Sequence, residues 1–351
     1  ILMINESYDY WLRSPVGLEK IVLQEVEQDV ELAGSLIKHR SIFIKLANAK
    51  RDDKKLEEMR TADDVYRIVG GYHGVNNTKA SLHNFFAYFK SNIIPVLNDN
   101  KPGRYIRVTV SFLGERNFNR FYVEDKLNSL IASLTHLKVL SSEVADKNKK
   151  GELRLRCHIE DKDVFLGIGI EDVPLHRRAW RVGRYIGQMH TTIAAAMVRV
   201  AGIEDGSIIF DPFCGSGTIL IEAAIVNPKA VYYGFDIDEN VLQIARKNAK
   251  EAGAGNIVFE HTNALGGKHD YSSSIIISNP PWGYEHSMNG SSDVAKFISG
   301  LVDIIKQSTT AILIVPESII SALEGYKLNI KKVTQTRVKG MVASIVVIQN
   351  K

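Results

Sequence analysis

The chain has 351 residues, of which 45% are apolar and 24% charged, and its formal net charge at pH 7 is +4. This composition excludes a disordered chain, and the length predicts two or three globular domains. The sequence has neither a run of about 20 apolar residues nor a secretory pattern at its start, and its only cysteines are Cys157 and Cys214. We therefore expect a soluble cytoplasmic protein without a membrane span, a disulfide framework or a metal site.

The first third of the chain predicts a mixture of strands and helices. Residues 5–30 predict a strand, a turn at Pro15-Val16-Gly17 and then an amphipathic helix, and SIFIKL predicts a returning strand. In RTADDVYRIVGGY, Thr61 and Asp64 have the spacing of a capping box, which predicts the start of another helix.

The middle third continues this mixed pattern. RYIRVTVSFLGERNFNRFYVEDKLNSLIASL predicts a strand followed by a helix. GELRLRCHIEDKDVFLGIGI predicts a pair of strands around Asp161-Lys162. DVPLHRRAWR then ends this part of the chain.

Positive charge is concentrated in the same part of the chain. Residues 99–190 contain 17 Lys and Arg against 12 Asp and Glu, and the flanking regions are close to neutral. Guanidinium groups beside an aromatic ring suit a phosphate backbone and stacked bases. We therefore predict nucleic-acid contacts from four arginines that lie close to Trp180, which are Arg177, Arg178, Arg181 and Arg184.

Residues 191–351 alternate strands and helices. Strand 207–211 precedes helix 217–226, strand 231–237 precedes a helix that ends at Gly253, and NIVFEH, SSIIIS and AILIVP predict three further strands. The end of the chain predicts a hairpin around Lys339-Gly340. Alternating strands and helices imply right-handed crossovers and a parallel sheet. The prediction is a seven-stranded, doubly wound α/β sheet with a terminal antiparallel hairpin.

The loop FDPFCGSGT lies where a ligand of such a sheet is expected, outside the carboxyl end of a strand. Gly215 and Gly217 allow the backbone to pass close to a ligand, and Asp236 ends the next strand, where its carboxylate can accept hydrogen bonds from ribose hydroxyls. Leu220 replaces the third glycine of a dinucleotide pattern, and the charge of Asp211 would repel a pyrophosphate. An adenosyl ligand without phosphates is favoured over a nicotinamide cofactor.

Three motifs, DPFCGSGT, GFDID and SNPPWG, resemble those of the S-adenosyl-L-methionine-dependent methyltransferases that modify exocyclic amines. The resemblance implies a Rossmann-fold domain, a first loop that holds the methionine moiety, and Asn263-Ala264 as the pair beside the adenine. Gln188-Met189 stands where this family commonly has a Pro-Leu pair packed over the cofactor. The cofactor-binding residues implied in this way are Asp211, Pro212, Cys214, Gly215, Gly217, Thr218, Asp236, Asn263, Ala264 and Met189.

SNPPWG suits the chemistry of an exocyclic amine, whose lone pair is delocalised into its ring. If the side-chain oxygen of Asn279 and the carbonyl of Pro280 accept the two N–H bonds, the amine is held and polarised for attack. Trp282 can stack on the extracted base. These three residues are the predicted catalytic group. The same motif also resembles those of adenine-N6 DNA enzymes and glutamine-N5 protein enzymes.

The front half resembles a ferredoxin-like module followed by a THUMP domain, on the matches PVGLE, RTADDVY, YIRVTVSF and LHRRAWR. The predicted domains are a ferredoxin-like domain at 1–60, a THUMP RNA-binding domain at 61–170, a linker at 171–190 and a Rossmann-fold methyltransferase domain at 191–351. In that family the THUMP domain binds the acceptor stem and 3′ end of tRNA, and the enzymes act as monomers.

Together these resemblances imply a tRNA guanine-N2 methyltransferase of the position-6 type. Position-10 enzymes usually carry Asp where this chain has Asn279. Four alternatives stay open: a position-10 tRNA enzyme, an enzyme for 23S ribosomal RNA, a DNA adenine-N6 methyltransferase, and a THUMP RNA-binding protein without catalysis.

Overall fold

The computed structural model describes residues 7–48, 53–101, 103–140, 151–183, 185, 187–266, 269–282 and 291–349. The chain divides into two compact units. Unit 1 comprises Ile1–Arg13 and Leu23–Leu175, and unit 2 comprises Ser14–Val22 and His176–Lys351. The short segment Ser14–Val22 therefore belongs to the C-terminal unit, although its sequence lies near the start of the chain.

The described part of unit 1 contains one sheet of eight strands in the order β2-β3-β1-β4-β8-β7-β5-β6. Its strands are β1 (Tyr10–Arg13), β2 (Leu32–Lys38), β3 (Ser41–Leu46), β4 (Asp64–His73), β5 (Tyr105–Leu113), β6 (Lys138–Val139), β7 (Leu153–Glu160) and β8 (Asp163–Gly169). The helices are α1 (Glu19–Asp29), which starts in unit 2, then α2 (Asp53–Glu57), α3 (Leu82–Tyr88), α4 (Ile94–Asn98) and α5 (Arg120–Leu134), with a π-helical turn at Phe89–Ile93 and a 3₁₀ turn at Lys79–Ser81.

The eight-stranded sheet has a different environment on each face. One face packs against helices α3 to α5 through an apolar cluster that includes Phe85, Phe89 and Leu127. The other face carries an aromatic cluster, in which the rings of Trp11 and Phe43 stack with centroids 6.0 Å apart. Alternation of side chains along each strand produces this separation.

The predicted helix at Thr61 is wrong, because residues from Asp64 onward form strand β4. Asp64 pairs with Arg13 of β1, and its carboxylate binds the guanidinium of Arg154 in a buried ion pair. The backbone N–H of Thr61 donates to the carboxylate of Glu25 at 2.8 Å. The capping-box spacing was therefore fortuitous, and tertiary pairing with two neighbouring strands decided the conformation.

Other predictions for the front half are confirmed. Residues Tyr105–Leu113 and Arg120–Leu134 form the expected strand and helix. Strands β7 and β8 pair around Asp161-Lys162, with Asp161 at a φ of 52°. Strands from both sides of residue 60 join the same sheet. The division of residues 1–170 into a ferredoxin-like and a THUMP domain stays a prediction.

Unit 2 has the predicted doubly wound sheet, with seven strands among its described residues in the order β11-β10-β9-β12-β13-β15-β14. The strands are β9 (Ile208–Asp211), β10 (Val231–Asp236), β11 (Ile257–His261), β12 (Ile275–Ser278), β13 (Thr310–Val315), β14 (Asn329–Val338) and β15 (Met341–Gln349). The helices are α6 (Thr191–Ala201), α7 (Thr218–Val226), α8 (Glu239–Glu251), α9 (Ser291–Gln307) and α10 (Glu317–Glu324), with a 3₁₀ turn at Ala264–Gly266.

The strand order places the topological switch between β9 and β12. Neighbouring strands from β11 to β13 are parallel, and β15 lies antiparallel between β13 and β14. The chain turns from β14 to β15 at Lys339-Gly340, as predicted. Loops that leave β9 and β12 at their carboxyl ends therefore diverge and open a crevice, which is the usual ligand site of this architecture.

The segment Ser14–Val22 completes the core of unit 2. Leu18 is fully buried and Ile21 nearly so, in the apolar cluster that also contains residues of α6 and α7. The hydroxyl of Thr334 on β14 donates to the carbonyl oxygen of Gly17. In the part of the chain that the structure describes, every helix is too short or too polar to cross a bilayer.

Candidate active site

A cavity of about 700 Å³ opens in unit 2 at the carboxyl ends of its parallel strands. Loops after β9, β10, β11 and β12 line it, together with the segment before α6 and the turn between β14 and β15. All but one of the predicted cofactor-binding and catalytic residues lie in its wall. Those residues are Met189, Asp211, Pro212, Cys214, Gly215, Thr218, Asp236, Asn263, Ala264, Asn279, Pro280 and Trp282.

The two glycines of the loop after β9 have different roles. Gly215 has a φ of +52°, and a Cβ placed on it would meet none of the described atoms within 4 Å. Gly217 has a φ of +76°, and a Cβ there would lie 2.9 Å from the ring of Phe259. Gly215 therefore leaves space in the cavity wall, whereas Gly217, which is not among the described lining residues, allows close packing at the start of α7.

Asp236 connects the loops that follow β9 and β10. One carboxylate oxygen accepts a hydrogen bond from the backbone N–H of Gly215 at 2.9 Å, and the other accepts from that of Asp238 at 3.0 Å. An ionised carboxylate has about four acceptor positions. The side chain can therefore order both loops and still accept hydrogen bonds from a ligand in the cavity.

Asp211 is a buried acid with only 1% of its surface exposed. One of its oxygens accepts from the backbone N–H of Phe213 at 3.2 Å and from the hydroxyl of Ser278 at 2.5 Å. Burial raises the pKa of Asp211 to about 7; these hydrogen bonds oppose the rise, and the charge of Asp236 adds to it. A cationic ligand would favour the ionised form.

Asn279 and Trp282 follow β12 in the same wall. The side-chain oxygen of Asn279 is buried, and among the described residues it has no hydrogen-bond donor. The indole N–H of Trp282 donates to the carbonyl oxygen of Ile314 at 3.2 Å, which ties the ring to β13. The predicted target motif thus presents one unused acceptor beside a fixed aromatic ring. Gly283, the last residue of this motif, lies outside the described residues.

The pair Asn263-Ala264 lines the cavity after β11. The side-chain oxygen of Asn263 accepts from the backbone N–H of Leu265 at 3.1 Å. An amide oxygen has a second lone pair, so one acceptor position stays for an adenine amino group. Its part in adenine binding stays a prediction.

Two of the four predicted RNA-binding arginines, Arg178 and Arg181, bind partners within unit 2, and RNA binding by the group stays a prediction. The side chain of Arg178 is 8% exposed and donates to the buried carboxylate of Glu222 at 2.9 Å. Arg181 donates to the carbonyl oxygen of Met189 at 2.8 Å and to the hydroxyl of Thr218 at 2.9 Å. Arg177 is exposed, and Arg184 lies outside the described residues.

The direction of these side chains has a physical cause. Glu222 is fully buried on α7, within the otherwise apolar stretch TILIEAAIV, and a buried carboxylate requires a cationic partner. Sequence composition records how many charges are close together, but not the side to which each one points. A single acid inside an apolar helix was the available signal for Arg178.

Some lining residues were not expected from the sequence. Ile237 follows Asp236, is 66% exposed and faces the cavity, and Phe297 of α9 also contributes. Val338, Lys339 and Met341 reach the cavity from the β14–β15 turn. An apolar residue after a strand-ending acid could have indicated Ile237. The turn residues lie some 60 positions after the target motif, and local pattern alone does not place them there.

The part of the chain that the structure describes contains no group of three or more His, Cys, Asp or Glu side chains arranged as metal ligands.

Comparison with known families relates this site to methyltransferases. Residues 178–342 match the UPF0020 model, described as an RMKL-like methyltransferase domain. A second model, N6_N4_Mtase, described as a DNA methylase, matches residues 76–247. Unit 2 has a methyltransferase fold.

Curated relatives match part of the chain, and two of them are named as RNA methyltransferases. The chain is 27% identical over 183 residues to ribosomal RNA large subunit methyltransferase K/L of Alcanivorax borkumensis, over 39% of this chain and 26% of that protein. It is 33% identical over 137 residues to tRNA (guanine(6)-N2)-methyltransferase of Thermus thermophilus, over 38% of this chain and 41% of that protein. The matched region thus spans less than half the length of either relative.

Solved structures match almost the whole chain. TrmN from Thermus thermophilus superposes with a TM-score of 0.79 at 20% identity, over 97% of this chain and 99% of that one. SMU.472, a putative methyltransferase complexed with SAH, superposes with a TM-score of 0.75 at 16% identity, over 98% of both chains. These matches establish the predicted α/β fold class.

Proposed function

We propose that this chain methylates an exocyclic amine of RNA with S-adenosylmethionine, and that its target is the N2 amine of guanosine in tRNA, at position 6 of the acceptor stem. The observation that carries the proposal is the buried side-chain oxygen of Asn279, which has no hydrogen-bond donor among the described residues and lies in the same cavity as Asp236 and the glycine loop. A buried acceptor without a donor costs roughly 1–3 kcal/mol, and an N–H of a bound base would remove that cost.

The cavity suits an adenosyl cofactor. Small-molecule sites measure roughly 300–1,000 Å³, and this cavity measures about 700 Å³. Gly215 leaves space for the methionine moiety, and Asp236 retains acceptor positions for ribose hydroxyls. Asp211 and Asp236 place two acids around a ligand that carries positive charge on its sulfur and its amino group. Bound S-adenosylmethionine supplies an electrophilic methyl group.

The residues after β12 can hold the target amine. The oxygen of Asn279 and the carbonyl oxygen of Pro280 each accept one N–H, so that the nitrogen lone pair points into the cavity. The ring of Trp282, fixed by its bond to Ile314, offers a stacking surface for the extracted base. Because the nitrogen attacks with its own lone pair and loses a proton afterwards, the site requires acceptors and no strong base.

Similarity to named proteins supports RNA as the substrate. The Thermus relative is named for guanine-N2 methylation at position 6 of tRNA. The similarity of residues 178–342 to RMKL-like domains, and the match to ribosomal RNA methyltransferase K/L, favour 23S ribosomal RNA as a second candidate. The DNA methylase match ends at residue 247 and therefore does not cover Asn279 or the rest of the proposed amine-binding motif. It gives DNA no support from that motif.

Incubation of the chain with S-adenosylmethionine and unmodified tRNA transcript tests the proposal. Nucleoside mass spectrometry and mapping should find N2-methylguanosine at position 6. Parallel reactions with 23S ribosomal RNA and duplex DNA distinguish the other substrates. Calorimetric binding of S-adenosylmethionine without transfer to any of the three would contradict these substrates but keep the cofactor, whereas absent binding would reject the cofactor and favour an RNA-binding protein without catalysis.

A further inference from the structure

Two side chains link the segment 181–183, together with Met189, to the loop and helix that follow β9. Arg181 donates through one terminal nitrogen to the carbonyl oxygen of Met189 at 2.8 Å and to the hydroxyl of Thr218 at 2.9 Å. Met189 and Thr218 both line the cavity, on separate parts of the chain. Arg181 is not among the described lining residues, so it acts on the wall from behind.

Asn248 of α8 makes a second cross-link beside the first. Its side-chain oxygen accepts from the backbone N–H groups of Val182 at 3.2 Å and Gly183 at 3.1 Å. Its amide nitrogen donates to the carbonyl oxygen of Ser216 at 3.4 Å. Asn248 is fully buried, and its two ends therefore hold the segment and the glycine loop at a fixed separation.

The chemistry of Arg181 suits this task. Its guanidinium lies 5.4 Å from the ring of Trp180, and its Nε atom is buried without a partner among the described residues. A buried guanidinium costs free energy that an apolar side chain of similar volume would avoid. The terminal nitrogen of the guanidinium carries two N–H donors in the plane of a rigid group, which fixes the directions of both bonds. The position therefore uses the guanidinium for its geometry.

We propose that Arg181, with Asn248, is a positioning clamp that sets residues 181–183 and Met189 against the glycine loop, and that Arg181 thereby determines affinity for the cofactor and not for RNA. The proposal rests on the proposed function, since S-adenosylmethionine is the ligand concerned. It assigns to the interior of unit 2 an arginine whose sequence context suggested a phosphate contact.

The test compares Arg181→Ala and Arg181→Lys with Arg177→Ala, a matched removal of an exposed arginine four positions away. Loss of two hydrogen bonds from a charged donor should weaken S-adenosylmethionine binding by about tenfold or more in Arg181→Ala. Arg181→Lys should restore part of the affinity. Arg177→Ala should leave it unchanged. Calorimetry measures each dissociation constant at a temperature where circular dichroism shows every variant folded.

Kinetic and RNA measurements separate positioning from other roles. In Arg181→Ala the KM for S-adenosylmethionine should rise while kcat at saturating cofactor is retained. The dissociation constant for tRNA and its dependence on salt should match those of the unchanged chain. A lower salt slope would make Arg181 a phosphate contact and overturn the proposal. So would a lower melting temperature with cofactor affinity unchanged.

Thr218→Val provides a second variant, because it removes the acceptor at nearly constant volume. If Arg181 and Thr218 act through their mutual hydrogen bond, the double variant loses less affinity than the product of the two single losses. Fully multiplicative losses would contradict the clamp. If the unchanged chain itself does not bind S-adenosylmethionine, the proposed function fails. If the unchanged chain and Arg181→Ala bind it equally, only the clamp fails.

Discussion

The side-chain oxygen of Asn279 is an acceptor without a donor among the described residues, and its removal gives a specific prediction. Asn279→Ala should lower kcat by roughly 10²–10³-fold, as expected when a group that holds the reacting atom is lost. Affinity for S-adenosylmethionine should stay within about twofold, because the amide is assigned to the target amine alone. The measurements are single-turnover methyl transfer to tRNA and calorimetric cofactor binding.

The free energy of unfolding of Asn279→Ala is the control for a structural role of this residue. Asn279→Ala removes a buried oxygen for which the described residues supply no donor, so the free energy of unfolding should not fall, as measured by urea denaturation. A destabilised variant that also loses cofactor binding would assign Asn279 a structural role.

Asp211 makes a prediction about pH. Its pKa is raised from an ordinary 3.8 to about 7, so between these values the folded chain holds a proton that the unfolded chain has released. This contribution to stability therefore falls as pH rises from about 4 to about 7, by on the order of 4 kcal/mol, and is constant above that. Asp211→Asn, which cannot ionise, should be the more stable protein at pH 8.

The measurement is urea unfolding of both proteins at pH 5 and pH 8 without cofactor. Other carboxyl groups change both proteins alike, so the difference between them isolates Asp211. An equal difference at the two pH values would mean that the carboxyl does not titrate in this window.

At the scale of elements, the sequence predicts unit 2 better than unit 1. Strands β9, β10 and β13 are short apolar runs, each followed by a helix, and local pattern is sufficient to identify such elements. Strand β4 contains Val65, Ile68 and Val69, which favour a strand, yet the spacing of Thr61 and Asp64 suggested a helix cap. Pairing with strands on both sides, which sequence spacing does not show, decided between the two.

The same difference applies to the site. The carboxyl ends of parallel strands lie along the same edge of a sheet, so the sequence alone could place Asp211, Asp236 and Asn279 together. Lys339 enters the wall through a hairpin from the far end of the chain, and its place depends on the strand order. Arg181 depends on which way a side chain turns. The position of Lys339 and the direction of the Arg181 side chain are both set by tertiary packing, which local sequence does not show.

The two glycines in the loop that joins β9 to α7 should respond differently to substitution by alanine, one mainly in stability and the other mainly in cofactor affinity. Gly217→Ala should cost roughly 1–3 kcal/mol from the left-handed backbone, and more from the approach to Phe259. Gly215→Ala meets space, so its stability loss should be smaller, on the order of 1 kcal/mol. The methyl group of Gly215→Ala would occupy the cavity. For a given loss of stability, Gly215→Ala should therefore lose more affinity for the cofactor than Gly217→Ala.

Thermal denaturation and calorimetry with S-adenosylmethionine measure both quantities. Equal stability losses in the two variants would show that the packing of Gly217 against Phe259 is unimportant. Unchanged cofactor affinity in Gly215→Ala would move the methionine moiety away from this loop.

At the scale of the whole molecule, each unit is built from two separate stretches of the chain. Residues 14–22 leave unit 1 after its first strand, contribute Leu18 and Ile21 to the core of unit 2, and return. The backbone N–H of Leu18 donates to the carbonyl oxygen of Pro15 at 3.2 Å, which closes the predicted turn. A chain that begins at residue 176 would therefore lack part of the core of unit 2.

Gly17 in that turn makes the last prediction. It has a φ of +82°, and a Cβ placed on it would lie 1.8 Å from the backbone oxygen of Gln335 on β14. Gly17→Ala must displace the backbone of that strand, whose terminal turn carries Lys339 into the cavity wall. We expect a stability loss of at least about 2 kcal/mol beyond the backbone strain itself, together with weaker S-adenosylmethionine binding.

Gly206→Ala is the matched control, because Gly206 has a φ of +79° and a Cβ there meets nothing within 4 Å among the described residues. It should lose only the cost of the left-handed backbone, on the order of 1–2 kcal/mol, and retain cofactor affinity. Urea denaturation and calorimetry compare the two variants. Equal losses would show that unit 2 accommodates a side chain at the contact between Gly17 and Gln335. A larger loss in Gly17→Ala would mean that a turn near the start of the chain shapes a cavity in its C-terminal half.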